Sequence, residues 1–173
     1  SLHKLLRELC RISGFNWIRI LYCYPEEITD ELIRVMKEEP KICHYLDLPI
    51  QHANDQILKR MGRRTSKQEL VDIIEKLRRE IPDICRRTTL ISGFPGETDE
   101  QHEELMEFVD EMEFDRLGVF TYSPEEGTPA AGMPDQIDEQ VKEERQAGLM
   151  ELQQEIAFEN AGKMTGREVL VMI

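Results

Sequence analysis

Three times along this chain a short apolar, β-branched run gives way to a helical pattern. That alternation limits the fold more than any other feature. The run NWIRILYCYP at 16–25 reads as a strand, and 26–39 as the helix behind it, with Ile28, Leu32, Val35 and Met36 at helical spacing. KICHYLDLPIQH at 41–52 is the next strand. A short helix, NDQILKRMG, follows, then a longer one over 66–80 whose apolar stripe is Leu70, Ile73, Ile74 and Leu77. The third unit joins a strand at 86–92 to a helix at 98–112, started by a Thr98/Gln101 capping box. A fourth strand, 116–123, runs into the loop PEEGTPAAGMP. Strands separated by helices are parallel, because right-handed crossovers carry each helix back over the sheet. The predicted fold is therefore α/β, four parallel strands forming an arc of a (β/α) barrel or a short open sheet. A helix at 2–13 precedes them without a strand of its own. A long amphipathic helix covers 135–162, with Val141, Leu149, Leu152, Ile156 and Phe158 as packing positions, and REVLVMI at 167–173 reads as one further strand.

Charge narrows the partners. Over 173 residues the formal net charge is −13, which argues against a broad nucleic-acid surface, since phosphate binding rests on Lys and Arg. Arg63–Arg64 and Arg86–Arg87 are the candidates for a local basic patch. No run approaches the roughly 18 apolar residues of a membrane span, and the start has no signal-peptide pattern, so a cytoplasmic protein is expected. Cys10, Cys23, Cys43 and Cys85 form no CxxC pair and sit in apolar patterns. They read as reduced, buried thiols rather than metal ligands or disulfides.

In parallel α/β folds, ligands bind beyond the carboxyl ends of the strands. Here those ends are Tyr24–Pro25, Gln51–His52, the stretch GFPGE at 93–97 and YSPEEGT at 122–128. Polar, aromatic and glycine residues thus collect on one rim, while the strand bodies carry Ile, Leu, Val and Thr. Asp47 stands inside an otherwise apolar strand, where a carboxylate must be paired or face a polar cavity. The start of the helix at Thr98 offers free amides to an anion.

Three segments, YLDLPIQHANDQILKRMGRRTS, RRTTLISGFPGETDEQ and FDRLGVFTYSPEEGTPAA, resemble the radical S-adenosylmethionine (SAM) methylthiotransferases, in the same order and at natural spacing. The residues Asp47 to His52 and Tyr122 to Thr128 resemble the branch that methylthiolates an aspartate β-carbon of a small-subunit ribosomal protein. The resemblance implies a radical SAM partial barrel, with strands three to six over 1–134, a connecting helix at 135–165 and the start of a TRAM domain at 166–173. It also implies SAM and two 4Fe-4S clusters in the full-length enzyme. The CxxxCxxC ligands are absent from these residues, so this piece is expected to assemble no cluster and to be inactive alone. By the same resemblance, the ends of strands five and six lie beside the adenine and ribose of SAM. Contacts are then expected from Ile91, Gly93, Phe120 and Tyr122. Position and chemistry make Gln51 and Arg63 candidates for the ribose and the methionyl carboxylate. Asp47, His52, Glu125 and Glu126 are assigned to the substrate side. The edge at 16–22 is expected to be open and to promote self-association. Two alternatives stay open: the same chemistry on a tRNA adenosine, and a non-catalytic module binding an anion at Gly93–Gly96 and the Thr98 helix start.

Overall fold

The computed structural model describes residues 1–171. Its centre is a four-stranded sheet, β1 (Ile18–Ile20), β2 (Ile42–Gln51), β3 (Cys85–Ser92) and β4 (Arg116–Thr121), in the order β1-β2-β3-β4 with every pair parallel. The predicted α/β class and parallel sheet are borne out. Among the described residues six α-helices accompany the strands, in chain order α1 (Leu2–Cys10), α2 (Asp30–Glu38), α3 (Asp55–Arg60), α4 (Lys67–Glu80), α5 (Asp99–Met112) and α6 (Glu139–Gly162).

The helix starts follow local chemistry. Ser66 and Thr98 each close a full capping box, with Glu69 and Gln101 respectively, so α4 and α5 begin where the sequence places them. The helix predicted over 26–39 is shorter than the pattern suggests. Pro25–Glu27 forms a 3-10 turn, Ile28 is extended, and Thr29 caps α2 by accepting the Leu32 amide. The first strand also shrinks, from ten predicted residues to three. It lies at the sheet edge with a ladder on one side only, although the Cys23 amide still donates to Asp47 O at 2.9 Å beyond it.

One face of the sheet packs under the helices. On β3 the buried residues are Arg86, Thr88, Leu90 and Ser92, alternating with half-exposed Cys85, Arg87, Thr89 and Ile91. Leu46, Leu48 and Ile50 of β2 join Leu90, Phe108 and Phe114 in the main core. The predicted stripes of α2 and α4 face it, with Ile28 and Ile73 only half-buried. Around β1, Phe15, Trp17, Leu21 and Tyr22 are exposed.

Three expectations need correction. Phe158, named as a packing position of α6, is 82% exposed, because the buried stripe of that helix runs through Lys142, Arg145, Leu149, Gln153 and Ile156. The basic pair Arg86–Arg87 forms no surface patch. Arg86 is buried against the Met112 and Glu113 carbonyls, and Arg87 is tied to Asp47. The strand expected over 167–173 does not form at 167–171, and its last two positions lie outside the described residues.

Candidate functional site

The carboxyl ends of β2, β3 and β4 open into a cleft of about 540 Å³. Gln51, Arg63, Ile91 and Tyr122 line it together with Phe94 and Met133. Four of the six residues assigned to the cofactor therefore share one concavity. Gln51 enters it by an irregularity: the β2–β3 register shifts between Leu48 and Gln51, and Gln51 has φ +72°. A side chain at positive φ is uncommon and costs about 1–3 kcal/mol, so such positions cluster at functional sites. Arg63 follows α3, its amide held by Leu58 O at 2.8 Å and its guanidinium 5.2 Å from the Tyr24 ring centroid. Phe94 meets Tyr122 edge-on, with centroids 5.3 Å apart. The buried Tyr122 hydroxyl has no partner among the described residues.

Phe120 and Gly93 sit elsewhere. Phe120 is 61% exposed on the open face of β4. Gly93 has φ +72°, and an added Cβ would lie 2.3 Å from Lys142 Cγ, so its missing side chain makes room for α6.

On the substrate side only Glu125 and Glu126 are exposed. The Asp47 carboxylate is buried and accepts from Arg87 at 2.8 Å, which resolves the oddity of an acid inside a strand. His52 has no exposed surface and does not reach the rim. Its Nδ1 accepts the Asn54 amide at 2.9 Å, and burial holds its pKa down at about 4.

Behind the rim lies a buried polar group whose partners are scattered in sequence. The Glu97 carboxylate accepts the amides of Gly93 (2.8 Å) and Phe94 (3.2 Å) and pairs with Arg145 Nη1 at 3.1 Å. Burial pushes its pKa up against the pull of Arg145 and the two amides. Glu97 thus folds the GFPGE turn around its own carboxylate and ties it to α6. The Thr98 helix start is occupied in the same way: Thr98 and Gln101 cap each other, and Asp99 holds Arg145 at 2.7 Å. Two acids in the first turn, Asp99 and Glu100, leave that terminus poorly suited to an anion.

The sequence reading missed Glu97, Lys142 and Arg145. A signal existed, since Lys142, Arg145, Leu149, Gln153 and Ile156 share one helical stripe, but their charge disguised it. Among the described residues no group of three or more His, Cys, Asp or Glu side chains is arranged to hold a metal. Burial raises the thiol pKa of Cys23 to about 11 and pushes Cys85 upward as well. No helix among the described residues is long and apolar enough to cross a membrane.

Comparison with known proteins bears out the resemblance. The chain is 68% identical over 172 residues to the ribosomal protein uS12 methylthiotransferase RimO of Lachnoclostridium phytofermentans, covering 99% of this chain. It is 54% identical over 173 residues to the RimO of Geobacter sulfurreducens. It spans 39% of the length of each of these relatives. Among solved structures, the radical SAM methyltransferase TsrM of Kitasatospora setae matches with a TM-score of 0.56 at 20% identity, over 69% of this chain and 24% of that one. Elp3 of Methanocaldococcus infernus matches with a TM-score of 0.56 at 16% identity, over 79% and 32%. At these identities the two structures speak for the fold alone. The model of the radical SAM superfamily matches residues 1–109, well over half of the chain, and with that match the chain belongs to the radical SAM superfamily.

Proposed function

We propose that this chain supplies one wall of the SAM cleft in a methylthiotransferase that modifies an aspartate of ribosomal protein uS12. The observation that carries the reading is the convergence of Gln51, Arg63, Ile91 and Tyr122 on one cleft at the carboxyl ends of three parallel strands. The donor set fits SAM. Ile91, Phe94 and Tyr122 give an apolar wall for a purine, the Gln51 amide suits ribose hydroxyls, and the Arg63 guanidinium suits a carboxylate fork. Phe120 is held on the neighbouring open face, and Gly93 shapes the cleft from behind. If SAM is held there, it would supply the hydrogen-abstracting chemistry at the aspartate β-carbon once one electron reaches it from a cluster elsewhere in the full-length enzyme. The protein's part is to bind it, orient it and exclude water. The described residues do not fit a 4Fe-4S cluster, because no three of their cysteines come together, and both clusters would fall to other parts of the full-length enzyme.

In the full-length protein, Arg63→Ala and Gln51→Ala should each weaken SAM binding about ten- to a hundredfold, for a lost polar contact of roughly 1.5–3 kcal/mol. Equilibrium dialysis with labelled SAM measures it. Unchanged affinity in both variants removes this cleft as the cofactor site.

The ribosomal substrate is proposed on the relatives named uS12 methylthiotransferase and on the acidic rim loop. Glu125 and Glu126 lie exposed where a basic protein segment could approach, and they would repel an RNA backbone. Replacing both with lysine should lower uS12 modification severalfold, read by mass spectrometry at low salt, with SAM affinity unchanged. Undiminished modification would take the rim out of substrate recognition.

A further inference from the structure

Among the described residues β4 ends the sheet, and its outer edge has no strand partner. An edge of this kind presents unpaired main-chain groups. Helix α6 packs along this strand and binds main-chain carbonyls on it and just beyond both its ends. Gln153 Nε2 donates to Phe114 O at 2.7 Å, Gln146 Nε2 to Val119 O at 2.6 Å, and Lys142 Nζ to Tyr122 O at 3.0 Å. Two of these three caps are neutral amides. The third, at the cleft end of the strand, is a lysine only 4% exposed.

A buried ammonium costs more to desolvate than a buried amide, so edge capping alone does not account for it. Its surroundings do. Lys142 Nζ also lies 5.5 Å from the Tyr122 ring centroid and bonds Glu139 at 2.9 Å. Its aliphatic stem fills the space left by Gly93, and its carbonyl accepts the Ser92 hydroxyl at 3.3 Å. One side chain therefore grips the ends of β3 and β4 together, the two strands that bring Ile91 and Tyr122 to the cleft. One turn further along, Arg145 holds Glu97 and with it the GFPGE turn.

We infer that Lys142 is a positioning residue for the cofactor cleft: from behind, it fixes the main chain and ring of Tyr122 against the Gly93 turn, so the wall is set before SAM arrives. Preorganisation of this kind shows in ligand affinity, because the cost of ordering the wall is otherwise met by binding. The inference rests on the cleft being the SAM site. It gives α6 a part in cofactor binding without any contact to the cofactor.

The test uses the full-length protein with its clusters in place, checked by absorbance. Lys142→Met, which keeps the stem and removes the ammonium, should raise the Kd for SAM about tenfold while turnover at saturating SAM stays within about twofold. Lys142→Arg should recover most of the affinity. Gln153→Leu loses a bond of the same kind at the far end of β4, and should lower the melting temperature with no change in Kd. If Lys142→Met does not fold, Lys142→Gln carries the test, and its Kd must rise severalfold. Wild-type affinity in the Lys142 variant, with Arg63→Ala weakened, overturns the inference and leaves the cleft standing. Equal weakening by Lys142→Met and Gln153→Leu overturns it too, since general loosening then explains both. If Arg63→Ala and Gln51→Ala also bind SAM normally, the cleft is not the cofactor site and the inference falls with it.

Discussion

Glu97→Ala should destabilise the protein by about 3–5 kcal/mol, as expected when one member of a buried, hydrogen-bonded charge pair is removed. Three donors lose this carboxylate at once: the amides of Gly93 and Phe94 and the guanidinium of Arg145, which keeps only the exposed Asp99 and the Glu97 main-chain oxygen. None can turn to water, because the Glu97 side chain is 0% exposed and that of Arg145 only 8%. For a domain of this size the loss corresponds to about 10 °C in melting temperature. Asp99→Ala removes a carboxylate from the same Arg145, but Asp99 is 87% exposed and solvent can take its place. Its effect should be far smaller. Thermal unfolding of the two variants side by side measures the contrast. Similar losses in both would mean that the turn is not built around Glu97.

Acid should destabilise the fold through His52 well before ordinary carboxylates titrate. The folded-state pKa is about 4 against a reference of 6.5, because burial disfavours the imidazolium; His102 and Arg145 act in the same direction and Glu104 against it. Above pH 6.5 the ring is neutral in both states and contributes nothing. Between pH 6.5 and 4 the unfolded chain takes up the proton and the folded protein does not, so stability falls as pH falls. The loss from this group is about 2 kcal/mol between pH 7 and 5 and roughly 3 kcal/mol by pH 4. His102 is shifted the same way by burial and adds to it. Glu97 works in the opposite sense: burial raises its pKa, so the folded state takes up that proton earlier than the unfolded one and recovers part of the loss. The Asn54 amide at the start of α3 donates to the ring, and Glu104 of α5 is itself bonded by Asn54 and by Lys67 of α4. Urea unfolding at pH 7 and pH 5 reads the effect. His52→Asn keeps an acceptor for the Asn54 amide and should flatten the dependence. An equally steep fall in that variant would place the acid sensitivity elsewhere.

Both expectations concern residues whose weight could not be read from their own positions. Sequence periodicity determined the order and type of the elements, because strand and helix patterns are local and repeat every two or 3.6 residues. The same holds for the starts of α4 and α5, since a capping box closes within four residues. Parallel topology followed from the connections alone. The rim also followed, as strand ends in such a fold share one side. Gln51 and Tyr122 fell on that rim, whereas Ile91 as a cofactor contact came from the family resemblance and Arg63 from its position and chemistry within it.

Burial of charge was decided only in three dimensions. Asp47, inside its strand, had to be paired or face a polar cavity, and it was β3 that decided for the pair by bringing Arg87 alongside it, 40 positions away. His52 followed Gln51 in a polar stretch, yet the bulge that turns Gln51 toward the cleft leaves His52 buried behind it. Lys142 and Arg145 looked like two of many charges on a solvated helix. Whether such a side chain is solvated or paired depends on the group it meets, and for these two the partners are Tyr122 O and Glu97, 20 and 48 positions back in the chain. Periodicity records which face of a helix turns inward; it carries no record of what waits there, because that is set by the register of a distant strand.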